Sequence, residues 1–175
     1  EENGNIMSIK VITPPASEPI SLAEAKLFLR VDHNAEDSLI AALIGAAREA
    51  VEAGIGRALL TRRVRECLDI WRRDVANGAV LGLGPVTNVV AVRLLANNGA
   101  QSVIDPERYR LEGNRDRPRL VFPSGFPATL RSAGGIEIEY DCGYADVAAD
   151  LPVALRVATM QIVASLYELR QGESG

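Results

Sequence analysis

PISLAEAKLFLRVDHNAEDSLIAALIGAAREAVEAGIGRALLT, residues 19–61, contains two helix patterns separated by a short acidic break. Ser21 and Glu24 have the spacing of a capping box, in which each side chain accepts a hydrogen bond from a backbone amide of the first turn. This spacing predicts a short helix over residues 21–30. Apolar residues at helical spacing, many of them small, predict a longer helix over residues 35–54.

The break between these helices contains the single histidine of the chain, His33, among Asp32, Asn34, Glu36 and Asp37. An Asp or Asn can cap the second helix, and the helix dipole stabilises acids in its first turn. The spacing does not match a calcium loop, and one histidine with two distant cysteines does not supply a zinc site. We therefore favour a structural role. The alternative is a small intracellular enzyme or DNA-binding module that uses His33 with the nearby carboxylates.

The pattern changes on both sides of this stretch. Residues 1–20 are rich in proline and predict an extended arm or a lead-in strand. Residues 60–142 show alternating apolar and polar positions, with a strong hairpin signal at Asn97-Asn98-Gly99. The short spacing of the strands favours antiparallel pairing. The sequence therefore predicts an α+β fold, in which a helical body carries an inserted antiparallel β meander or set of hairpins.

A third helix is predicted over residues 151–170, so that a single domain covers residues 21–171 and a short tail follows at residues 172–175. Apolar side chains cover most of this helix, and its polar stripe is narrow. A helix that is apolar on most sides has to be enclosed. We therefore expect neighbouring chains to cover part of it.

The composition excludes several classes of function. The chain has 175 residues and a net charge of −4, which argues against a general binder of polyanions. It contains no phosphate-binding loop, metalloprotease motif or nucleophile elbow, so we predict no catalytic residue, metal or cofactor and no enzymatic activity. No apolar run reaches the roughly 18 residues that a membrane span needs, and no membrane contact is expected.

Arginine dominates the basic residues, because only two of the 19 are lysines. The planar guanidinium suits pairing across interfaces, and tryptophan is a frequent interface anchor. Solvated strand ends and loops are the alternative explanation of these arginines. The candidate contacts to neighbouring subunits are Arg62, Arg63, Arg65, Trp71, Arg72, Arg73, Arg115, Arg117 and Arg119.

An ordered set of short motifs resembles a known family. The motifs are Ser21-Leu22-Ala23-Glu24-Ala25-Lys26, Leu29-Arg30-Val31-Asp32, Glu36-Asp37, Ala46-Ala47-Arg48, and Val51-Glu52 leading to Gly56-Arg57. Together they resemble the N-terminal signature of the phage head–tail connector family, the adaptor or head-completion proteins of long-tailed phages and gene transfer agents. LGLGPV, IEIEYDCGYAD and LPVALRVATMQIVASLYELR extend the resemblance over residues 18–170.

The resemblance implies a structural protein of the particle neck, assembled in the bacterial cytoplasm. Such adaptors form a ring, commonly of twelve subunits, between the portal and a stopper or tail-side protein. The ring extends the channel through which DNA leaves, without binding a specific DNA sequence. The resemblance also implies that the C-terminal segment docks on the portal and that the arginines contact neighbouring subunits or the tail side. The candidate portal-docking residues are Leu166, Tyr167, Leu169 and Arg170.

Overall fold

The computed structural model describes residues 8–69, 78–123, 131 and 133–172. The chain divides into two compact units. The strand unit comprises the chain as far as Pro14 together with Arg62–Gly143, and the helical unit comprises Pro15–Thr61 together with the chain from Tyr144 onward. Residues 8–13, which lie in the predicted arm, pair as a strand with residues of the strand unit.

Three helices form the helical unit: α1 Leu22–Leu29, α2 Asp37–Ile55 and α3 Val153–Gly172. They lie close to the predicted bounds of 21–30, 35–54 and 151–170. In the part of the chain that the structure describes, no helix is long and apolar enough to cross a membrane.

The start of α1 is the predicted capping box. The Ser21 hydroxyl accepts a hydrogen bond from the Glu24 amide, and the Glu24 carboxylate accepts one from the Ser21 amide at 2.8 Å. These bonds, with the ion pair to Arg156 of α3, hold the pKa of Glu24 below its ordinary value. At its end, α2 has a glycine cap, since Gly56 has a φ of +62°.

The predicted cap of α2 is wrong. Neither Asn34 nor Asp32 caps α2, because the N-cap position is Glu36 and its side chain makes no capping bond. The sequence also suggests Asp150 as the N-cap of α3, and this prediction is wrong as well. Asp150 ends a 3₁₀ turn over Ala148–Asp150, and α3 begins three residues later.

The helices bury small and branched apolar residues against one another. One cluster joins all three helices and the other joins α2 and α3 to the connecting segments. Ala25 and Ala47 are fully buried, which allows the helix axes to approach closely. The buried members of the two clusters are Ile20, Ala25, Ile40, Ile44, Ala47, Val163 and Tyr167, and Val51, Leu59, Leu60, Ala145 and Leu151.

The described residues of the strand unit form eight strands: β1 Ser8–Thr13, β2 Arg62–Leu68, β3 Gly78–Val80, β4 Val86–Leu95, β5 Gln101–Val103, β6 Arg110–Glu112, β7 Arg119–Val121 and β8 Ile136–Cys142. One sheet has the order β1-β2-β8-β4-β5 and the other has the order β3-β7-β6. All neighbours in both sheets are antiparallel, which confirms the predicted fold class.

The order of the larger sheet is not the order of the chain. β4 and β5 form the hairpin predicted at Asn97-Asn98-Gly99, and Gly99 has a φ of +82°. β8, however, comes from the end of the strand segment and lies between β2 and β4. The central position of β8 follows from its apolar row, because Ile136, Ile138 and Tyr140 are all fully buried.

Candidate assembly surfaces

The acidic break joins α1 to α2 through a lysine. Lys26 Nζ lies 2.7 Å from Asn34 Oδ1 and 2.7 Å from Asp37 Oδ1. The ammonium group therefore ties α1 to both the break and the first turn of α2. This contact supports the structural interpretation of the break.

His33 does not have the surroundings of a catalytic base. Its side chain is 54% exposed, and Nε2 lies 3.9 Å from Glu36 Oε2. That carboxylate already accepts a hydrogen bond from the Tyr167 hydroxyl at 2.5 Å, which links the start of α2 to α3. Among the described residues, no group of three His, Cys, Asp or Glu side chains is arranged to hold a metal ion.

A cavity of about 670 Å³ opens beside this histidine. The end of α1 and the break form one wall, and the last turns of α3 form the other. Apolar and charged side chains contribute to the lining in similar measure, so the cavity has no single chemical character. Its lining residues are Phe28, Leu29, Arg30, Val31, Asp32, His33, Ala164, Tyr167 and Glu168.

The predicted portal-docking residues have different environments along α3. Tyr167 is only 9% exposed, because it packs in the helical core and bonds to Glu36. Leu166 is half-buried, whereas Leu169 is 67% exposed. Arg170 lies in the last turn, with its side chain outside the described part of the structure. Leu169 is therefore the available apolar contact at this end of the helix.

The arginines of β2 are used within their own sheet. Arg63 binds Asp141 of β8 with two hydrogen bonds, of 2.8 and 3.1 Å. Arg65 of β2 and Arg93 of β4 both bind Glu139, at 3.0 and 2.8 Å. Burial alone would raise the pKa of Glu139, but the hydrogen bonds from the two guanidinium groups hold it below its ordinary value. Arg62, on the opposite face, is buried and also has a partner.

The arginines in the loop between β6 and β7, together with Arg119 at the start of β7, differ from those of β2. Arg115 and Arg117 are exposed and Arg119 is half-buried. None of the three forms a salt bridge to any residue that the structure describes. The remaining candidates, Trp71, Arg72 and Arg73, lie outside the described residues.

The backbone of this loop is nonetheless held in place. The carbonyl of Arg115 accepts from the Val86 amide at 2.8 Å, and that of Pro118 accepts from the Leu81 amide at 3.1 Å. A Cβ on Gly84 would lie 2.2 Å from the carbonyl oxygen of Asp116. A glycine is therefore required where the loop crosses this segment, and the loop arginines extend from a fixed backbone.

Glu66 is a buried acid that was not predicted from the sequence. It is fully buried on the apolar face of β2, where its Oε2 accepts from the Tyr140 hydroxyl at 2.8 Å and from the Gly82 amide at 2.9 Å. Among the described residues its Oε1 has no hydrogen-bond partner, and burial raises the pKa of the carboxyl group. In the sequence, Glu66 stands between Val64 and Leu68 in the alternating apolar row of β2. That position could have indicated that its side chain is buried.

Family comparison supports the resemblance noted in the sequence. Residues 19–82 match the model of the phage gp6-like head–tail connector protein family, so this stretch carries the signature of that family. No curated protein sequence gives a significant match to the chain.

Three solved structures are similar to nearly the whole chain. A chain from the neck of an empty gene transfer agent particle with C6 symmetry has a TM-score of 0.81 and 27% identity, over 93% of this chain and 85% of that one. A chain from the virion of a native gene transfer agent particle has a TM-score of 0.81 and 28% identity, over 93% and 84%. A chain from the neck of a native particle with C12 symmetry has a TM-score of 0.79 and 26% identity, also over 93% and 84%.

Proposed function

We propose that this chain is a head–tail connector that forms a ring in the neck of a phage-like particle. The ring lies between the portal and a stopper or tail-side protein and extends the channel through which DNA leaves. The observation that carries this proposal is the similarity of 93% of the chain to neck chains of gene transfer agent particles. Both units are included in that similarity, so it extends well beyond the stretch that matches the family model.

Twelve subunits are the proposed number, which agrees with the C12 symmetry of one of the similar necks. A net charge of −4 per subunit suits a channel for DNA. A protein that neutralises many phosphates releases their counterions and binds tightly, whereas an acidic wall leaves the duplex free to move. The pairing of Arg63 and Arg65 with acids of β8 further limits the free positive charge of the subunit.

We assign the portal contact to the end of α3. Leu169 is the exposed apolar side chain there, and Leu166 and Arg170 are its neighbours on the helix. The buried hydroxyl contact of Tyr167 with Glu36 gives that residue a supporting role, in which it holds α3 against the start of α2. The arginines of the β6–β7 loop remain candidates for contacts with neighbouring subunits or with the tail side.

Particle assembly in the bacterial cytoplasm provides the test. The wild-type chain is replaced by the Leu169→Asp variant. The control is the Val147→Asp variant, because Val147 is also exposed but lies in the segment that precedes α3. We expect the control to give joined heads and tails with this protein in the neck, and Leu169→Asp to give heads that lack it. Localisation of the wild-type chain anywhere other than the neck would contradict the proposal. Normal joining in Leu169→Asp would contradict only the portal contact.

A further inference from the structure

We propose that β1 of one copy pairs with β5 of the next, so that the five-stranded sheet continues from subunit to subunit. The inference rests on the proposed function, because it names the contact by which the ring closes. β1 and β5 are the two outer strands of this sheet. An outer strand presents a row of backbone amides and carbonyls that a further strand can pair with. In the described residues, neither strand has a partner on its outer side.

β1 has the properties of an edge that is covered in the assembly. All six of its residues are exposed, including Ile9 at 38% and Val11 at 47%. The strand register places Val11 opposite Val64, which is fully buried in the apolar layer of the sheet. The apolar layer therefore extends onto β1, where this chain does not cover it. Long, apolar edge strands are sites of association unless they are protected.

β5 offers a second edge of the same sheet. Val103 is 66% exposed, and the Ile104 amide bonds to the Val92 carbonyl at 2.9 Å, so pairing with β4 extends one residue beyond the strand. The acids Asp105 and Glu107 follow directly and are exposed. Lys10 of β1 is also exposed and has no ion-pair partner among the residues described. The two edges are thus complementary in charge as well as in backbone pairing.

The strand directions determine what kind of assembly these edges can build. Each neighbouring pair in the sheet is antiparallel, so β1 and β5, four steps apart, run in the same direction. A rotation that continues the sheet brings β5 and the next β1 together as a parallel pair. Because the two edges are different surfaces, the contact is head-to-tail, which is the kind that closes into a ring.

Lysine substitutions at the two edges test the inference. Val11→Lys charges the β1 edge and Val103→Lys charges the β5 edge, while Val147→Lys adds the same charge at a position that is 50% exposed and belongs to no strand. All three side chains are exposed, so we expect the thermal unfolding midpoints to match the wild type. Each variant then replaces the wild-type chain during particle assembly, and occupancy of the neck ring is counted by electron microscopy.

We expect Val147→Lys to fill the neck ring and each edge variant to reduce its occupancy at least tenfold. In solution, a mixture of the two edge variants should give a one-to-one dimer by native mass spectrometry, because each contributes the edge that the other lacks. If both edge variants fill the ring, or if only one of them fails, the β1–β5 contact is overturned and the connector function stands. If the wild-type chain itself is absent from the neck, both proposals fall.

Discussion

Two groups of arginines in the strand unit have opposite surroundings. Arg63 and Arg65 of β2 lie on the face of the larger sheet, where acids of β8 bind them at 2.8 to 3.0 Å. Arg115 and Arg117 extend from the β6–β7 loop without an ion pair to any described residue, although the backbone of that loop is firmly bonded. The first group is used to hold the sheet together. The second is held in position but forms no ion pair with the residues that the structure describes.

The difference separates two uses of the same side chain. A guanidinium that is already hydrogen-bonded to a carboxylate of its own sheet has fewer donors left for a partner. An exposed one on a fixed backbone loses little backbone freedom when it binds, so it is better suited to an interface. Arginine content alone therefore does not separate the arginines that are paired within the sheet from those that are exposed. Four variants, with their controls, test these differences.

The largest effect is expected at Gly84, which lets the loop cross its neighbouring segment. Gly84→Ala places a methyl group 2.2 Å from the Asp116 carbonyl oxygen, so the loop has to move. We expect the free energy of unfolding to fall by about 3 kcal/mol. Gly54→Ala is the matched control, because a Cβ there meets nothing within 4 Å. That helical substitution should stabilise the protein by about 0.5 kcal/mol. Equal losses in both variants, measured by urea unfolding, would show that the loop is not held at Gly84.

Glu139 is the next test, since it binds two arginines at once. Glu139→Ala leaves Arg65 and Arg93 without their shared carboxylate, and we expect a loss of about 2 kcal/mol. Glu137→Ala is the control on the same strand and face, because its carboxylate is 3.8 Å from Arg65. Its loss should be below about 0.5 kcal/mol. The reverse order of the two losses would mean that the β2 arginines do not depend on Glu139.

The stability contribution of Glu139 should also depend on pH. Its folded pKa is lowered, so the contribution is present above the ordinary pKa of 4.5 and is lost as the pH falls through the folded value. Glu66 should behave in the opposite way. Its pKa is raised by burial, so its contribution is present below 4.5 and is lost as the pH rises through the folded pKa.

Glu66→Gln keeps an acceptor for Tyr140 and Gly82 but removes the titration. We expect the free energy of unfolding of the variant to rise relative to that of the wild type as the pH rises from 4 to 8. This gain should be smaller than the loss of free energy caused by Glu139→Ala. Chemical unfolding across that pH range measures the difference. A gap between the two proteins that stays constant with pH would mean that folding does not shift the pKa of Glu66.

The smallest change in stability is expected for the loop arginines. Arg115, Arg117 and Arg119 replaced together by alanine should alter the free energy of unfolding by no more than about 0.5 kcal/mol. Assembly is the informative measurement, because these side chains are proposed to bind a neighbour or the tail-side protein. We expect fewer joined particles than with the wild type. Normal joining of heads and tails would indicate that these arginines are solvated residues that bind no neighbour.

Local signals in the sequence were sufficient for the elements themselves. The capping box at Ser21, the left-handed glycine after α2 and the hairpin at Gly99 each depend on residues within about four positions of one another. The three helices followed from apolar periodicity, and the antiparallel character of the sheets followed from the short spacing of the strands. In the acidic break, the predicted cap by Asp32 or Asn34 is wrong, and the residue that binds Asn34 and Asp37, Lys26, was not foreseen.

Tertiary structure decided which side chains remain available for function. Tyr167 and Leu169 are two residues apart in one helix pattern, yet the hydroxyl of Tyr167 binds Glu36, 131 positions away, and Leu169 is left exposed. Likewise, Arg63 finds its acid 78 positions later because β8 inserts beside β2. Periodicity along the chain specifies a helix face or a strand face, since it reflects only local geometry. Which faces meet depends on how distant segments pack, and that packing is fixed only in the folded chain.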